Sequence, residues 1–183
     1  MPAKQQENSQ MSNFKEDLVK IKAFIFDVDG VLASPKVYLH PDGELIRTMN
    51  TKDGYAIQYA VRRGYPIAII TGGKSESVAL RFRHLGLTDI YLGSSSKVDD
   101  YNDFVGKYGF QPEEILYMGD DLPDYEVMQK AGVACCPADA VEEIKSLSKY
   151  ISHLGGGEGC ARDIIEQVLR LHGRWMDGDS FFW

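Results

Sequence analysis

Little in this chain points toward a membrane, a nucleic acid or a redox couple. No run approaches the ~20 apolar residues that a bilayer span needs. The first residues are polar and rich in Gln, Asn and Ser, with no apolar stretch of the signal-peptide kind, so residues 1–14 read as a disordered lead-in. Lys and Arg total 20 against 27 Asp and Glu, a net charge of −7 with no basic run, which argues against a nucleic-acid partner. Cysteine is scarce and odd in number. Cys135 and Cys136 are adjacent, Cys160 stands apart, and none has zinc-type spacing. They read as reduced structural thiols, expected in a cytoplasmic protein. No repeat or low-complexity array is visible. What remains is 183 residues, one domain's worth and enough for a real core.

Strand-like and helix-like runs alternate through that length. Lys22 to Val28, Pro66 to Ile70, Ile90 to Leu92, Ile115 to Met118 and Val133 to Cys136 are apolar strand candidates. Between and after them, Gly54 to Arg63, Ser75 to Leu85, Val98 to Tyr108, Tyr125 to Ala131, Val141 to Leu147 and Ala161 to Leu171 read as helices, several stopped by glycine. This rhythm predicts an α/β fold, a Rossmann-like three-layer core around a parallel sheet. One segment breaks it. Val37 to Arg47 places Asp42-Gly43 between two short strand-like runs, a hairpin signal. The hairpin is either a surface feature or a flap or oligomer contact. Its apolar Val37, Tyr38, Leu39, Leu45 and Ile46 favour the contact, because a lone hairpin is only marginally stable.

The most informative residues stand where the strands end. Ala23-Phe24-Ile25-Phe26 runs into Asp27-Val28-Asp29-Gly30. Acids are normally excluded from buried strands, and ligands of open parallel sheets bind beyond the strands' carboxyl ends. A carboxylate there can act as a nucleophile toward phosphorus, and a second can trade protons with the leaving and attacking oxygens. Two acids this close call for a cation, and Mg²⁺ suits oxygen ligands. Thr71-Gly72-Gly73-Lys74 after the next strand is either a turn or a phosphate cradle. Lys97, after Gly93-Ser94-Ser95-Ser96, is either a solvated lysine or a counter-charge for carboxylate and phosphate. Gly119-Asp120-Asp121-Leu122-Pro123-Asp124 supplies acids either to a helix N-terminus or to a metal, and with Asp27 and Asp29 present the metal reading is favoured.

Taken in order, Asp-x-Asp-Gly, Thr-Gly, Lys and Gly-Asp-Asp-x-x-Asp resemble the four motifs of the haloacid dehalogenase (HAD) superfamily, over about residues 20 to 172. Five stretches narrow the resemblance: Asp27-Val-Asp-Gly-Val-Leu, the Asp-Gly-Glu hairpin, Lys52-Asp53-Gly54-Tyr55, Gly119-Asp-Asp-Leu-Pro-Asp, and Gly155-Gly-Gly-Glu-Gly-Cys-Ala-Arg162-Asp163. They are similar to the 3-deoxy-D-manno-octulosonate 8-phosphate (KDO 8-P) phosphatase family. That family has a small hairpin flap, no large cap domain, and a homotetrameric assembly in which one subunit helps close its neighbour's site.

The resemblance implies a Mg²⁺-dependent phosphatase of an acidic sugar phosphate in lipopolysaccharide precursor synthesis, acting through an aspartyl-phosphate. Asp27 would be the nucleophile and Asp29 the acid/base. Thr71 and the backbone at Gly72 would hold phosphate oxygens, and Lys97 would pair with Asp27 and phosphate. Asp27, Asp120 and the Asp29 carbonyl would bind the metal, with Asp121 and Asp124 supporting ligands and lysine. Gly73, Lys74, Arg47, Lys52 and Arg162 would line the substrate rim. Where that family commonly has Thr-Gly-Arg, this chain has Thr71-Gly72-Gly73, so a bidentate guanidinium is missing there. That departure leaves the nine-carbon relative, 2-keto-3-deoxynononate 9-phosphate, or another acidic sugar phosphate as an alternative substrate. A phosphoacceptor receiver has its motifs in another order. A non-catalytic oligomeric regulator would not need Asp27, Asp29, Lys97 and Asp120 together. The domain is expected to span 15–172. The tail, 173–183, carries Trp175, Met176, Phe181, Phe182 and Trp183 and is expected to dock on a neighbouring subunit.

Overall fold

The four residues of β1 (Ala23–Phe26) have no solvent exposure, and their alternation assigns them to two different cores. Phe24 and Phe26 face one side with Ile67, Ile69, Leu116 and Met118; Ala23 and Ile25 face the other with Ala68, Ile70, Ile115 and Tyr117. That two-residue period, with apolar groups on both faces, is what a strand covered by helices on both sides requires. A computed structural model describes residues 13–178, 180 and 181. The expected lead-in through residue 12, and Phe182 and Trp183 of the tail, lie outside the described residues.

Six parallel strands form the sheet in the order β5-β4-β1-β6-β7-β8: β4 Ile67–Thr71, β5 Asp89–Leu92, β6 Ile115–Met118, β7 Val133–Cys136 and β8 Tyr150–Ile151. Helices α1 (Phe14–Lys20), α2 (Thr51–Arg62), α3 (Glu76–His84) and α7 (Cys160–Leu171) contribute buried residues to the first core. α4 (Lys97–Tyr108), α5 (Tyr125–Met128) and α6 (Glu142–Leu147) cover the second. The three-layer α/β expectation holds. From β1 the chain builds outward through β4 and β5, then returns to build β6, β7 and β8 on the other side. The order therefore reverses at β1, and a crevice opens beyond its carboxyl end.

Between β1 and α2 lies only a loop and an antiparallel hairpin, β2 (Tyr38–Leu39) and β3 (Leu45–Ile46), with no large cap. The Asp42 carboxylate accepts from the Glu44 amide at 3.0 Å, and Gly43 takes φ +89°, the left-handed conformation that this turn demands. The hairpin's apolar side chains are exposed in the single chain, with Leu39 at 80%.

Three local readings differ from expectation. α1 was not foreseen; Asn13 caps it by accepting from the Lys15 amide at 3.2 Å, and Leu18 anchors it in the core. β8 is only two residues long, below what an apolar run can signal. The helix from Tyr125 stops at Met128 instead of reaching Ala131, because the Lys130 amide turns to the Val127 carbonyl, an i→i−3 bond. The described part of the tail packs on its own chain. Trp175 meets Tyr59 edge-on at 5.3 Å, Asp177 pairs with Arg63 at 2.7 Å, and the Tyr55 hydroxyl donates to the Ser180 carbonyl.

Candidate active site

Asp27 follows directly on the buried end of β1, and the site grows from it. The carboxylate accepts from the Val28 amide at 2.7 Å, while its other oxygen lies 2.9 Å from Lys97 Nζ. Lys97 opens α4, whose N-cap Ser96 accepts from the Asp99 amide, so the lysine's stem is fixed at a helix start. Its ammonium also reaches Asp124 Oδ1 at 2.7 Å, and the side chain is only 8% exposed. Burial works against that charge, yet Asp27 and Asp124 outweigh it and hold the Lys97 pKa above its ordinary value.

Asp124 ends the short 3₁₀ turn Leu122–Asp124 after β6 and has no exposure. Oδ1 also accepts from the buried Tyr117 hydroxyl at 2.7 Å, and Oδ2 from the Asp120 amide at 3.3 Å. Both oxygens are thus in use, which suits a group that orients its neighbours. Asp121 is exposed and accepts from the Leu122 amide at 2.7 Å, capping that turn.

Asp120 faces Asp27 across the Gly30 turn. Gly30 has φ +83°, and a Cβ there would sit 1.9 Å from Asp120 Oδ2, so only glycine lets the two loops meet. The Gly155-Gly156-Gly157 run follows the same logic. A Cβ on Gly156 would lie 2.0 Å from the Gly30 carbonyl oxygen, and the Gly157 amide donates to the Val31 carbonyl at 2.8 Å. These glycines serve close backbone contact with the Asp29-Gly30 turn.

On the other flank, Thr71 ends β4 nearly buried, and its hydroxyl accepts from the Gly73 amide at 3.1 Å. Asp29 points into the same space with its side chain 38% exposed, held by Arg47 through Nε–Oδ1 at 2.6 Å and Nη2–Oδ2 at 2.9 Å. Together these groups wall a cleft of about 980 Å³ whose lining includes Asp27, Asp29, Thr71, Gly72, Lys97 and Asp120.

The cleft is over-supplied with negative charge. Burial first, then the Asp124 carboxylate, push the Asp27 carboxyl up to about 8 against the pull of Lys97. Burial, with Asp124 and Asp121, raises Asp120 to about 7. Oxygens of Asp27, Asp120 and Asp124 lie within 4.8 Å of one another. A set of hard carboxylate donors, two of them short of counter-charge, fits Mg²⁺.

Of the residues singled out in the sequence, the structure brings together Asp27, Asp29, Thr71, Gly72, Gly73, Lys97, Asp120, Asp121 and Asp124, all of which border the cleft. The four expected rim cations lie outside that lining, Arg47 directly behind Asp29 and Gly73. Lys52 lies exposed in the first turn of α2, away from the lining. Arg162 sits on α7 against Tyr55 and Trp175 and pairs with Glu166 at 3.4 Å, and its backbone amide donates to Asp53 of α2 at 2.7 Å. Lys74 is exposed, with its aliphatic stem close to Gly93. Two contributors were missed. Tyr117 lies within the apolar strand run Ile115 to Met118, and nothing in that pattern marks its hydroxyl. Ser94 lines the cleft with its Oγ buried and unbonded among the described residues, and the serine run before Lys97 was the available signal.

Comparison with known proteins agrees with this geometry. Residues 34–132 match the haloacid dehalogenase-like hydrolase family. The chain is 36% identical over 154 residues to the 3-deoxy-D-manno-octulosonate 8-phosphate phosphatase KdsC of Salmonella typhi, covering 84% of this chain and 82% of that protein. The structure of a putative phosphatase of the same name from Vibrio cholerae superposes with a TM-score of 0.85 at 35% identity, covering 90% of this chain and 92% of the other. The Moraxella catarrhalis phosphatase, solved with magnesium ion, phosphate ion and KDO, superposes with a TM-score of 0.82 at 30% identity, covering 86% and 90%.

Proposed function

The chain belongs to the haloacid dehalogenase-like hydrolases, and from that premise we propose that it hydrolyses KDO 8-P to KDO and inorganic phosphate, supplying a lipopolysaccharide precursor. The observation that carries this reading is the Asp27–Lys97 pair at 2.9 Å with Asp29 across the same cleft, beside a donor set fit for Mg²⁺. The similarity to KdsC and to the KDO-bound neighbour supports the choice of substrate.

An oxygen lone pair of Asp27 forms the bond to phosphorus as the bond to the sugar's O8 breaks, and Asp29 gives its proton to that departing oxygen. A water then attacks the aspartyl-phosphate and returns a proton to Asp29, releasing phosphate and the free Asp27 carboxylate. Thr71 and the Gly72 amide hold phosphate oxygens, and Lys97 offsets the charge on Asp27 and the transferring group. Asp27, Asp120 and the Asp29 carbonyl are the groups to hold Mg²⁺, with Asp124 and Asp121 in support. The ion, when bound, supplies positive charge at the phosphoryl oxygens and relieves the repulsion among the carboxylates.

Substrate cover in a capless enzyme must come from elsewhere. The exposed apolar hairpin supports a subunit contact, and we assign the working form as a homotetramer. The three buried free thiols support a reducing compartment, the cytoplasm.

The test is phosphate release with Mg²⁺ from the eight-carbon and nine-carbon keto-sugar phosphates, with Asp27→Asn as control. Preference for the eight-carbon ester, lost in the variant, is expected. Preference for the nine-carbon ester, the reading that Gly73 keeps open, would retain the chemistry and change the pathway. No release from either by a folded protein would overturn the phosphatase reading.

A further inference from the structure

Arg47 follows the second strand of an otherwise exposed hairpin, yet its side chain turns inward and keeps only 7% exposure. Nε and Nη2 take both oxygens of Asp29 at 2.6 and 2.9 Å, and Nη1 donates to the Leu45 carbonyl at 2.9 Å. The room for it is made by Gly73. A Cβ at that position would stand 3.2 Å from Arg47 Nη2 and 3.4 Å from Thr71 Oγ1. The guanidinium therefore lies between Asp29 and the loop that would receive the phosphate, directly behind Asp29 and Gly73, which line the cleft, and beside Val28 and Thr71.

This arrangement conflicts with the task given to Asp29. A group that serves a leaving oxygen needs one of its own oxygens facing that oxygen. Here both are held by a bidentate, charge-assisted fork, the strongest of ordinary side-chain pairings. A second carboxylate can take the same fork in the same planar geometry, so exchange replaces one such pairing by another. A hydroxyl or an amide offers no equivalent pair of charged acceptors.

We propose that Arg47 is a substrate-sensing latch, holding Asp29 in the free enzyme and releasing it when the carboxylate of an acidic sugar phosphate takes the guanidinium. The inference rests on the phosphatase reading and adds a role to the site. Selectivity for acidic esters is then expressed in turnover as well as in binding, since the remote carboxylate's binding energy is used to free the acid/base. Neutral esters reach the phosphate loop with the latch still shut. The bond from Arg47 to the Leu45 carbonyl ties the latch to the hairpin.

The experiment measures kcat and KM separately for KDO 8-P and its C1 carboxamide, in the wild type, Arg47→Ala and Arg47→Lys. The wild type should favour the acid in kcat by about tenfold or more, and Arg47→Ala should bring the two within about threefold, with the amide turned over faster than by the wild type. Arg47→Lys, a point charge without the fork, should fall between. The same comparison with 6-phosphogluconate and glucose 6-phosphate tests the latch independently of which sugar is native. Hydrolysis of p-nitrophenyl phosphate, and its loss in Asp27→Asn, reports the phosphatase chemistry separately, because that leaving group departs without a proton. Wild-type discrimination confined to KM would overturn the proposal, and so would an Arg47→Ala variant slower on both members of a pair.

Discussion

The Tyr117 hydroxyl donates to Asp124 Oδ1 at 2.7 Å, joining two side chains with no solvent exposure directly beneath the cleft. The same oxygen receives Lys97 Nζ, so the tyrosine helps fix the carboxylate that fixes the lysine that faces Asp27. Tyr117→Phe keeps the packing and removes one donor to a buried carboxylate. A loss of about 1–3 kcal/mol in unfolding free energy is expected. Turnover should fall while KM stays near its wild-type value, since the Thr71 and Gly72 contacts to phosphate are untouched. Urea denaturation and steady-state kinetics read the two effects, and unchanged stability would mean that the bond contributes nothing.

The metal-free protein should lose stability as pH rises through neutrality. Asp27 is raised to about 8 and Asp120 to about 7 from an ordinary 3.8. Between those limits the folded state binds more protons than the unfolded chain, so the unfolding free energy falls with pH. Asp53, raised to about 6 chiefly by burial, acts in the same direction at lower pH. Thermal melts in chelator should therefore decline between pH 6 and 8.5. Added Mg²⁺ should reduce or invert that slope, because the ion binds the deprotonated carboxylates. A flat profile in chelator would contradict the burial of these acids.

Gly30 is expected to tolerate no side chain. Its φ of +83° costs an alanine about 1–2 kcal/mol, and the new Cβ would collide with Asp120 Oδ2. Backbone strain alone would lower stability and leave metal binding intact. Displacement of Asp120 should instead weaken Mg²⁺ binding in Gly30→Ala by about tenfold or more, the scale reported for disturbed ligand support. Titration calorimetry with Mg²⁺ distinguishes the two.

How far the sequence reached depends on the range over which each feature is determined. The strands were legible because apolar runs flanked by glycine and polar residues leave few alternatives, and Asp27, Thr71, Lys97 and Asp120 were legible because acids, hydroxyls and lysines at strand ends break the core pattern. Arg162 was misplaced because its surroundings depend on the tail: Trp175 lies 5.4 Å from its guanidinium, a contact that no local spacing encodes. Tyr117 and the Arg47–Asp29 pair were invisible for the same reason. Each joins positions by geometry that only the assembled sheet and hairpin create.

The hairpin supplies the sharpest test of assembly. Leu39 is 80% exposed and Tyr38 66% exposed in the single chain, and among the described residues the segment's strands pair only with each other. Solvent-facing substitutions of this kind usually change monomer stability by less than about 0.5 kcal/mol. Leu39→Asp should therefore leave the fold of an isolated subunit intact. If the hairpin is buried between subunits, the same substitution places a charge in an apolar contact, and sedimentation should show the assembly falling to smaller species. Activity should fall with it, because the capless cleft would lose its cover and Arg47, two residues beyond Leu45, would lose its fixed support. A variant that remains assembled at wild-type activity would assign the hairpin to solvent and require another surface to close the site.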